Sequence, residues 1–550
     1  MAKREAWKSR AIFIFAAIGS AVGLGNAWRF PGLAAKHGGG TFLLVYFLAM
    51  FILGWPLLMM EIGIGRRMQQ GAPGAMRGVN RRAEFVGWAA TGNAFLISTY
   101  YSVVLAWILY MIIRSFTMGG LSSDAAGDLF LNEVLEYHSI KDTPFVQTMG
   151  IPWKLIIALF VAWLFIYVCI RKGAHSAGKV VPFTVIIPVV LLLILAVNGI
   201  AKDIPNGSAG IKKFFTPVWS KLWNNPSLWI DAFSQVFYSL SIMMAIMFAY
   251  GSFVHKKSNI IADTLIISIS DMLISILSGV VLFTTMSASG MLDVENIAST
   301  GSVGTAFIMY PRALVMLSDN AGLNSFFALV FYLTLLTLAI DSAFSIIEGV
   351  STAISDKFNV RKTRTTLVCC IVAFFISLVY ITRGGLDWLD IVDYWCNNFN
   401  LITVGIIECI VVGWFFKTSK LREEINLSAG KVKLLSGYDW LLRLVAPAIL
   451  TTLFVWQMVI LAKNGGYGGY PAWAQIVAGW LPTIIIYAGA IALQVISAKS
   501  PKIRALDARY GTWDEMHNIV EIEEEDRLEE LAEEQAREQE QAHSDEAQQA

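Results

Sequence analysis

Charge is scarce in this chain of 550 residues: only 15% of it is Asp, Glu, Lys or Arg, against about 25% in a soluble domain. With 56% hydrophobic residues and a mean hydropathy of +0.59, that deficit excludes an ordinary soluble globule. A net charge of +1 removes any global electrostatic case for nucleic acid as a partner. Cysteine is also rare, and Cys169, Cys369, Cys370, Cys396 and Cys409 all fall in or beside apolar runs. They form neither a disulfide framework nor a metal-ligand spacing and read as small apolar fillers. No nucleophile–base pair, metal-ligand cluster or phosphate loop is present. Gly23-Leu24-Gly25 lacks the preceding strand that a dinucleotide site requires. The chain is not expected to be an enzyme.

What the chain has instead is apolar length. Runs of about 20 residues, enough to cross ~30 Å of hydrocarbon, recur throughout. They begin near Ala11, Phe42, Val86, Trp153, Val180, Leu228, Ile260, Ser325, Thr365, Trp388, Leu441 and Ala472, which predicts an all-α polytopic membrane protein of about twelve spans. Basic residues collect in alternate connections: Arg66 to Arg82, Arg171 to Lys179, Lys256-Lys257, Lys357 to Arg364 and Lys417 to Lys433. The positive-inside rule makes these cytoplasmic, in a plasma (inner) membrane with both termini inside. Only the opposing stretch Lys202 to Lys221 runs against it. The first run has a basic start but no cleavage site, so it is expected to remain as a span. From Glu521 the composition turns to Glu, Gln and Ala, the pattern of a solvated tail.

Within the first apolar run, Ala21-Val22-Gly23-Leu24-Gly25-Asn26-Ala27-Trp28-Arg29-Phe30-Pro31 interrupts the helical pattern. Non-helical backbone survives at membrane depth only where it lines a cavity. Two glycines, a carboxamide and an arginine suit a helix that unwinds to offer backbone groups to a small solute and a cation. Asp341, an acidic side chain at membrane depth, is expected to face a cation. Glu61 and Glu408 are further intramembrane carboxylates, read as structural hydrogen-bond partners, with a proton relay as the alternative.

The Ala21–Pro31 run resembles the start of the neurotransmitter:sodium symporter family, whose bacterial members import amino acids. The resemblance covers nearly the whole apolar chain, from Arg4 and Trp7 to the last span. It includes Gly38-Gly39-Gly40-Thr41-Phe42, Tyr46, Pro56, Glu61-Ile62-Gly63-Ile64-Gly65-Arg66 and Tyr100-Tyr101. Further matches are Gln235-Val236-Phe237-Tyr238-Ser239-Leu240-Ser241, Ala339-Ile340-Asp341-Ser342 and Leu389-Asp390-Ile391-Val392-Asp393-Tyr394-Trp395.

The family implies a LeuT-type inverted repeat with helices 1 and 6 unwound at mid-membrane. Residues 11–200 and 228–417 would be the two repeats, 438–497 two appended helices, 1–10 a cytoplasmic lead and 498–550 an acidic cytoplasmic tail. The resemblance also implies two sodium sites. One would use the Ala21 carbonyl, Asn26, Ser239 and Asp271; the other the carbonyls of Gly19, Val22 and Leu338 with Asp341 and Ser342. A substrate carboxylate would meet the backbone N–H groups near Gly23, Leu24 and Gly25 and the Tyr101 hydroxyl. The rest of the substrate would lie among Ile97, Tyr101, Tyr238, Ser241, Met244, Ser342 and Ile346. Gly23 stands where monoamine carriers of the family place an aspartate, which argues for a carboxylate-bearing substrate. Outer and inner gates would be Arg29 with Asp393 under Tyr238, and Arg4 with Asp356 beside Trp7.

In chloride-dependent relatives an anion sits among residues matching Tyr46, Gln235, Ser239, Asp271 and Ser275, with asparagine in place of Asp271. The aspartate here predicts a transporter that does not require chloride. A second departure lies in helix 6, where Met243-Met244-Ala245 replaces the family's Gly-x-Gly. Methionine resists the backbone freedom of glycine, so either the pocket is narrower or the unwinding is shifted. The sequence thus predicts a sodium-coupled importer of a small carboxylate-bearing solute, foremost a neutral amino acid. Its partners would be that solute, sodium ions and the bilayer. The alternatives are a non-transporting sensor or regulatory subunit of the same fold, or a carrier of an osmolyte that is not an α-amino acid.

Overall fold

The computed structural model describes residues 6–171, 174–255, 257–293, 297 and 301–515. Arg4 and the Glu-rich tail from Glu521 lie outside the described residues. Among those described the chain is helical, with one isolated antiparallel bridge between Gly39 and Pro217.

The first span is bent by 49° between α1 (Arg10–Ala21) and α2 (Gly25–His37). Four unbroken spans follow: α3 (Gly40–Met68), α4 (Glu84–Met118), α5 (Trp153–Ile170) and α6 (Val181–Asn206). Next come two short helices, α7 (Pro226–Ser239) and α8 (Ile246–Ser252). Four more spans are α9 (Ile260–Ala288), α10 (Ala321–Phe358), α11 (Lys362–Ile381) and α12 (Gly385–Phe415), and α13 (Gly437–Lys463) and α14 (Ala472–Lys499) close the series. Among the described residues ten helices are therefore long and apolar enough to cross a membrane, eleven with the bent pair. The remaining expected span, begun at Leu228, is the α7–α8 segment, neither piece of which reaches spanning length. Both breaks thus open a series of five.

Burial separates inner from outer helices. In α4, 72% of the apolar window is buried within the protein, against 22% in α13 and 17% in α14. The last two helices therefore flank a core made by the first ten spans. The stretch expected to be tail from 498 begins instead as a docked element, Pro501–Tyr510, whose N-terminus is capped by the Ser500 hydroxyl. Asp507 meets the buried Lys357 ammonium at 2.9 Å, which also meets Glu84 at 2.9 Å. Trp513 is buried, donates its N–H to the Gly78 carbonyl at 3.0 Å and packs on Phe416 with ring centres 4.9 Å apart. These apolar and ionic anchors lie ahead of the acidic composition, which is why composition alone read the whole segment as solvated.

Candidate functional site

The site is built where α1 ends and α2 begins, against the α7–α8 break. Val22 leaves the helix in an extended conformation, with ψ 96°. The freed Gly23 N–H donates to the Asn26 carboxamide oxygen at 3.0 Å, so the asparagine caps the start of α2 from within. The Ser20 carbonyl at the end of α1 accepts from the Ser241 hydroxyl at 2.9 Å and the Ser342 hydroxyl at 3.4 Å. The Gly25 carbonyl accepts from the Gln235 amide at 3.1 Å. Helix ends facing a common point leave partial charges there, positive at N-termini and negative at C-termini.

Two carboxylates flank this junction. Asp271 of α9 accepts from Asn26 Nδ2 at 2.7 Å, Ser239 Oγ at 2.5 Å and Tyr46 Oη at 3.0 Å. Ser275 Oγ accepts from Asn26 Nδ2 at 2.8 Å. Asp341 of α10 accepts from the Thr184 hydroxyl at 2.6 Å, and its other oxygen lies 2.6 Å from where a Cβ on Gly19 would stand. The missing side chain at 19 is what lets this carboxylate reach the α1 backbone. Leu338 lies one turn before Asp341 on α10. Asp271 and Asp341 are both buried, and among the described residues neither is paired with Lys or Arg. An uncompensated carboxylate at this depth costs several kcal/mol. The neighbouring groups include the hydroxyls of Ser239, Tyr46 and Thr184, and oxygen ligands suit a hard cation.

At the junction of the broken helices lies a cavity with about 20 Å³ of free space, roughly one water. Gly23, Leu24, Gly25, Ile97, Tyr101, Tyr238, Ser241, Met244, Ser342 and Ile346 all line it, with Ala21, Asn26 and Ser239 of the expected sodium set. The Leu24 N–H donates to the Tyr101 hydroxyl at 3.3 Å. A Cβ on Gly23 would lie 2.3 Å from Ser342 Oγ, and one on Gly25 would lie 2.9 Å from the Tyr238 ring.

Residues 240–245 leave the helical path although they contain no glycine. Ser241, Met243 and Ala245 each take a left-handed backbone, with φ of 53°, 63° and 62°. The Glu61 carboxylate accepts the Met243 N–H at 2.5 Å, and the Met243 side chain fills the space over Gly405.

The expected gates are arranged unequally. Arg29 and Asp393 share a cavity of about 420 Å³ but form no ion pair within 4.0 Å. Asp393 Oδ1 accepts from Tyr100 Oη and Asn397 Nδ2, each at 2.8 Å. The Arg29 guanidinium stands over the Tyr238 ring, 5.4 Å from its centre. On the opposite side Trp7 is buried; its indole N–H donates to the Tyr250 carbonyl at 3.3 Å and its backbone N–H to the Phe253 carbonyl at 3.0 Å. Asp356 accepts the Gly71 N–H at 2.7 Å; its expected partner Arg4 is outside the described residues.

Two residues escaped the sequence reading. Ser20 contributes a carbonyl, which no side-chain motif reveals, although its place between Gly19 and Ala21 is suggestive. Thr184 is a lone hydroxyl on an apolar span, and no local spacing relates it to Asp341, 157 residues away.

The sequence profile described as "Sodium:neurotransmitter symporter family" matches residues 4–120 and 119–498. An uncharacterized sodium-dependent transporter of Methanocaldococcus jannaschii is 33% identical over 499 residues, covering 90% of this chain and 98% of the relative. The sodium- and chloride-dependent GABA transporter 2 of Rattus norvegicus is 30% identical, with 87% and 84% covered. The sodium- and chloride-dependent creatine transporter 1 of Bos taurus is 30% identical, with 87% and 80% covered.

Proposed function

The chain belongs to the sodium:neurotransmitter symporter family, and from that premise we propose that it imports a small carboxylate-bearing solute, a neutral amino acid, driven by sodium and without chloride. The observation that carries this reading is the pair of buried carboxylates behind one cavity at the junction of two broken helices: Asp271 bonds the lining residues Asn26 and Ser239, and Asp341 directly precedes the lining residue Ser342. Family members are transporters, and the reading places this chain in the bacterial amino-acid-importing branch.

In this reading sodium is cargo. Asp341, Ser342 and the carbonyls of Gly19, Val22 and Leu338 hold one ion. Asn26, Ser239, Asp271 and the Ala21 carbonyl hold the other, together with the substrate carboxylate. That carboxylate accepts from the N–H groups at the start of α2 and from Tyr101. The little free space beside Met244 favours the smaller amino acids. Residues 11–200 and 228–417 act as inverted repeats that rock about the site. The outer cavity narrows as Arg29 and Tyr238 approach Asp393, and the inner end is sealed by Trp7 against α8. The distribution of Lys and Arg supports cytoplasmic termini.

The charge count supports chloride independence. Two sodium ions contribute +2, Asp271 and Asp341 contribute −2, and a zwitterion adds nothing, so the loaded site is neutral without an anion, as a low-dielectric site prefers. The test is uptake into proteoliposomes over a panel of amino acids. Sodium-dependent uptake is expected in the wild type and is abolished by Asp341→Ala; unchanged sodium dependence in that variant refutes the ion assignment. With gluconate replacing chloride, wild-type uptake should continue while Asp271→Asn becomes chloride-dependent. A wild type that stops without chloride overturns that part of the reading.

A further inference from the structure

Trp414, near the end of α12, and Arg443, in the second turn of α13, are brought together by a proline. Pro447 has no N–H with which to satisfy the Arg443 carbonyl four residues earlier. The Trp414 indole N–H donates to that carbonyl instead, at 2.9 Å. The ring is thereby held under the guanidinium, 5.0 Å from its centre. Gly413 permits the approach, since a Cβ there would lie 2.9 Å from Arg443 Cα. Arg443 is exposed, and no carboxylate among the described residues pairs with it. Asp439, one turn back, is bonded to Arg422 at 2.9 Å.

From this platform a groove of about 640 Å³ runs along Leu444, Pro447, Ala448, Thr451, Val455 and Trp456. The twelve helical steps from Arg443 to Val455 make about 18 Å of helix, a little more than half of the ~30 Å hydrocarbon thickness. The groove therefore has the reach of one leaflet, with its single charge at one rim. Lys417, Lys431 and Lys433 are exposed on the connection at that same rim.

We propose that this groove binds one anionic phospholipid of the adjacent leaflet, with its phosphate on Arg443 and an acyl chain along α13. Charge complementarity decides the occupant. A zwitterionic headgroup brings its own cation and no net charge to a rim that already holds Arg443 and exposed lysines, whereas a basic pocket at a membrane rim attracts anionic headgroups. The rigid Trp414 ring fixes Arg443 for that contact by a cation–π interaction.

The test is native mass spectrometry of the purified full-length chain with phosphatidylglycerol or phosphatidylcholine. The wild type should retain phosphatidylglycerol preferentially, and Arg443→Gln should lower that retention about fivefold while leaving phosphatidylcholine unchanged. Arg443→Lys should keep most of the preference, and Val455→Trp, which fills the groove, should lower retention of both lipids. Unaltered elution on size exclusion shows that each variant folds. The proposal is overturned if Arg443→Gln retains phosphatidylglycerol like the wild type, or if millimolar inorganic phosphate displaces the lipid. It is equally overturned if binding appears only after residues 516–550 are removed, because the occupant is then the chain's own acidic tail.

Discussion

At the first helix break, Gly23 and Gly25 flank Leu24; at the second, residues 240–245 contain no glycine at all. The dihedrals run opposite to what those compositions suggest. Neither Gly23 nor Gly25 has a positive φ, whereas Ser241, Met243 and Ala245 all do. The glycines of the first break serve close approach, admitting Ser342 and Tyr238 to the backbone. The second break imposes a left-handed backbone on side chains that disfavour it by about 1–2 kcal/mol per residue. Tertiary contacts offset that cost: Glu61 takes the Met243 N–H, Ser241 bonds to the Ser20 carbonyl and Gly405 leaves room for the Met243 side chain. One break is specified by its own residues and the other by its neighbours.

The comparison breaks most sharply at position 23. In Gly23→Ala the new methyl would stand 2.3 Å from Ser342 Oγ and 3.1 Å from the Tyr101 hydroxyl, displacing both from the cavity. Misplacement of about 1 Å in a reacting or binding geometry costs on the order of a hundredfold, and a loss of that size in sodium-dependent uptake is expected. Elution and thermal stability should stay close to wild type, since the change acts on the site. Uptake within twofold of wild type would show that the glycine is not there for approach.

A smaller effect is expected at Glu61, where the second break depends on a distant helix. Glu61→Leu leaves the buried Met243 N–H without an acceptor, a loss of about 1–3 kcal/mol, read as a lower melting temperature in detergent. Glu61→Gln keeps an oxygen acceptor and should recover most of that stability. If the two variants melt together, the hydrogen bond does not hold the unwound segment.

The two breaks also explain what was legible beforehand. The helical class, the run of spans and the interruption near Gly23 follow from apolar length and from residues that are anomalous where they stand. Asp341 and Asn26 stand out for the same reason, as polar groups in apolar surroundings. The second break is marked by family pattern only up to Ser241, because the groups that hold it open, Glu61 and Gly405, are far away in sequence. Thr184 was invisible for this reason, as was the docking of Trp513, which depends on Arg67, Gly78 and Phe416 converging from separate elements. Asp393 likewise takes both of its side-chain hydrogen bonds, from Tyr100 and Asn397, on Oδ1, partners that spacing along the chain does not disclose.

The subtlest difference concerns Met243→Gly combined with Ala245→Gly, which would give the second break glycines like the first. Two opposing terms act on stability. Glycine removes the left-handed penalty at both positions, but the methionine side chain leaves its place over Gly405, and deleting a buried methionine side chain typically costs about 2–5 kcal/mol. The double variant should therefore be less stable than wild type, while Ala245→Gly alone should be equal to it or slightly better. Neither residue lines the cavity, so the consequence for transport runs through backbone freedom, which lets the segment that carries Met244 yield to a larger solute. Uptake of larger neutral amino acids should rise relative to small ones, by roughly tenfold for a methylene newly accommodated. The check is competition of a bulkier against a smaller amino acid in the same proteoliposomes, with wild type in parallel. An unchanged ratio would mean that the second break limits substrate size through Met244 alone and that the backbone at 243 and 245 has no part in selection.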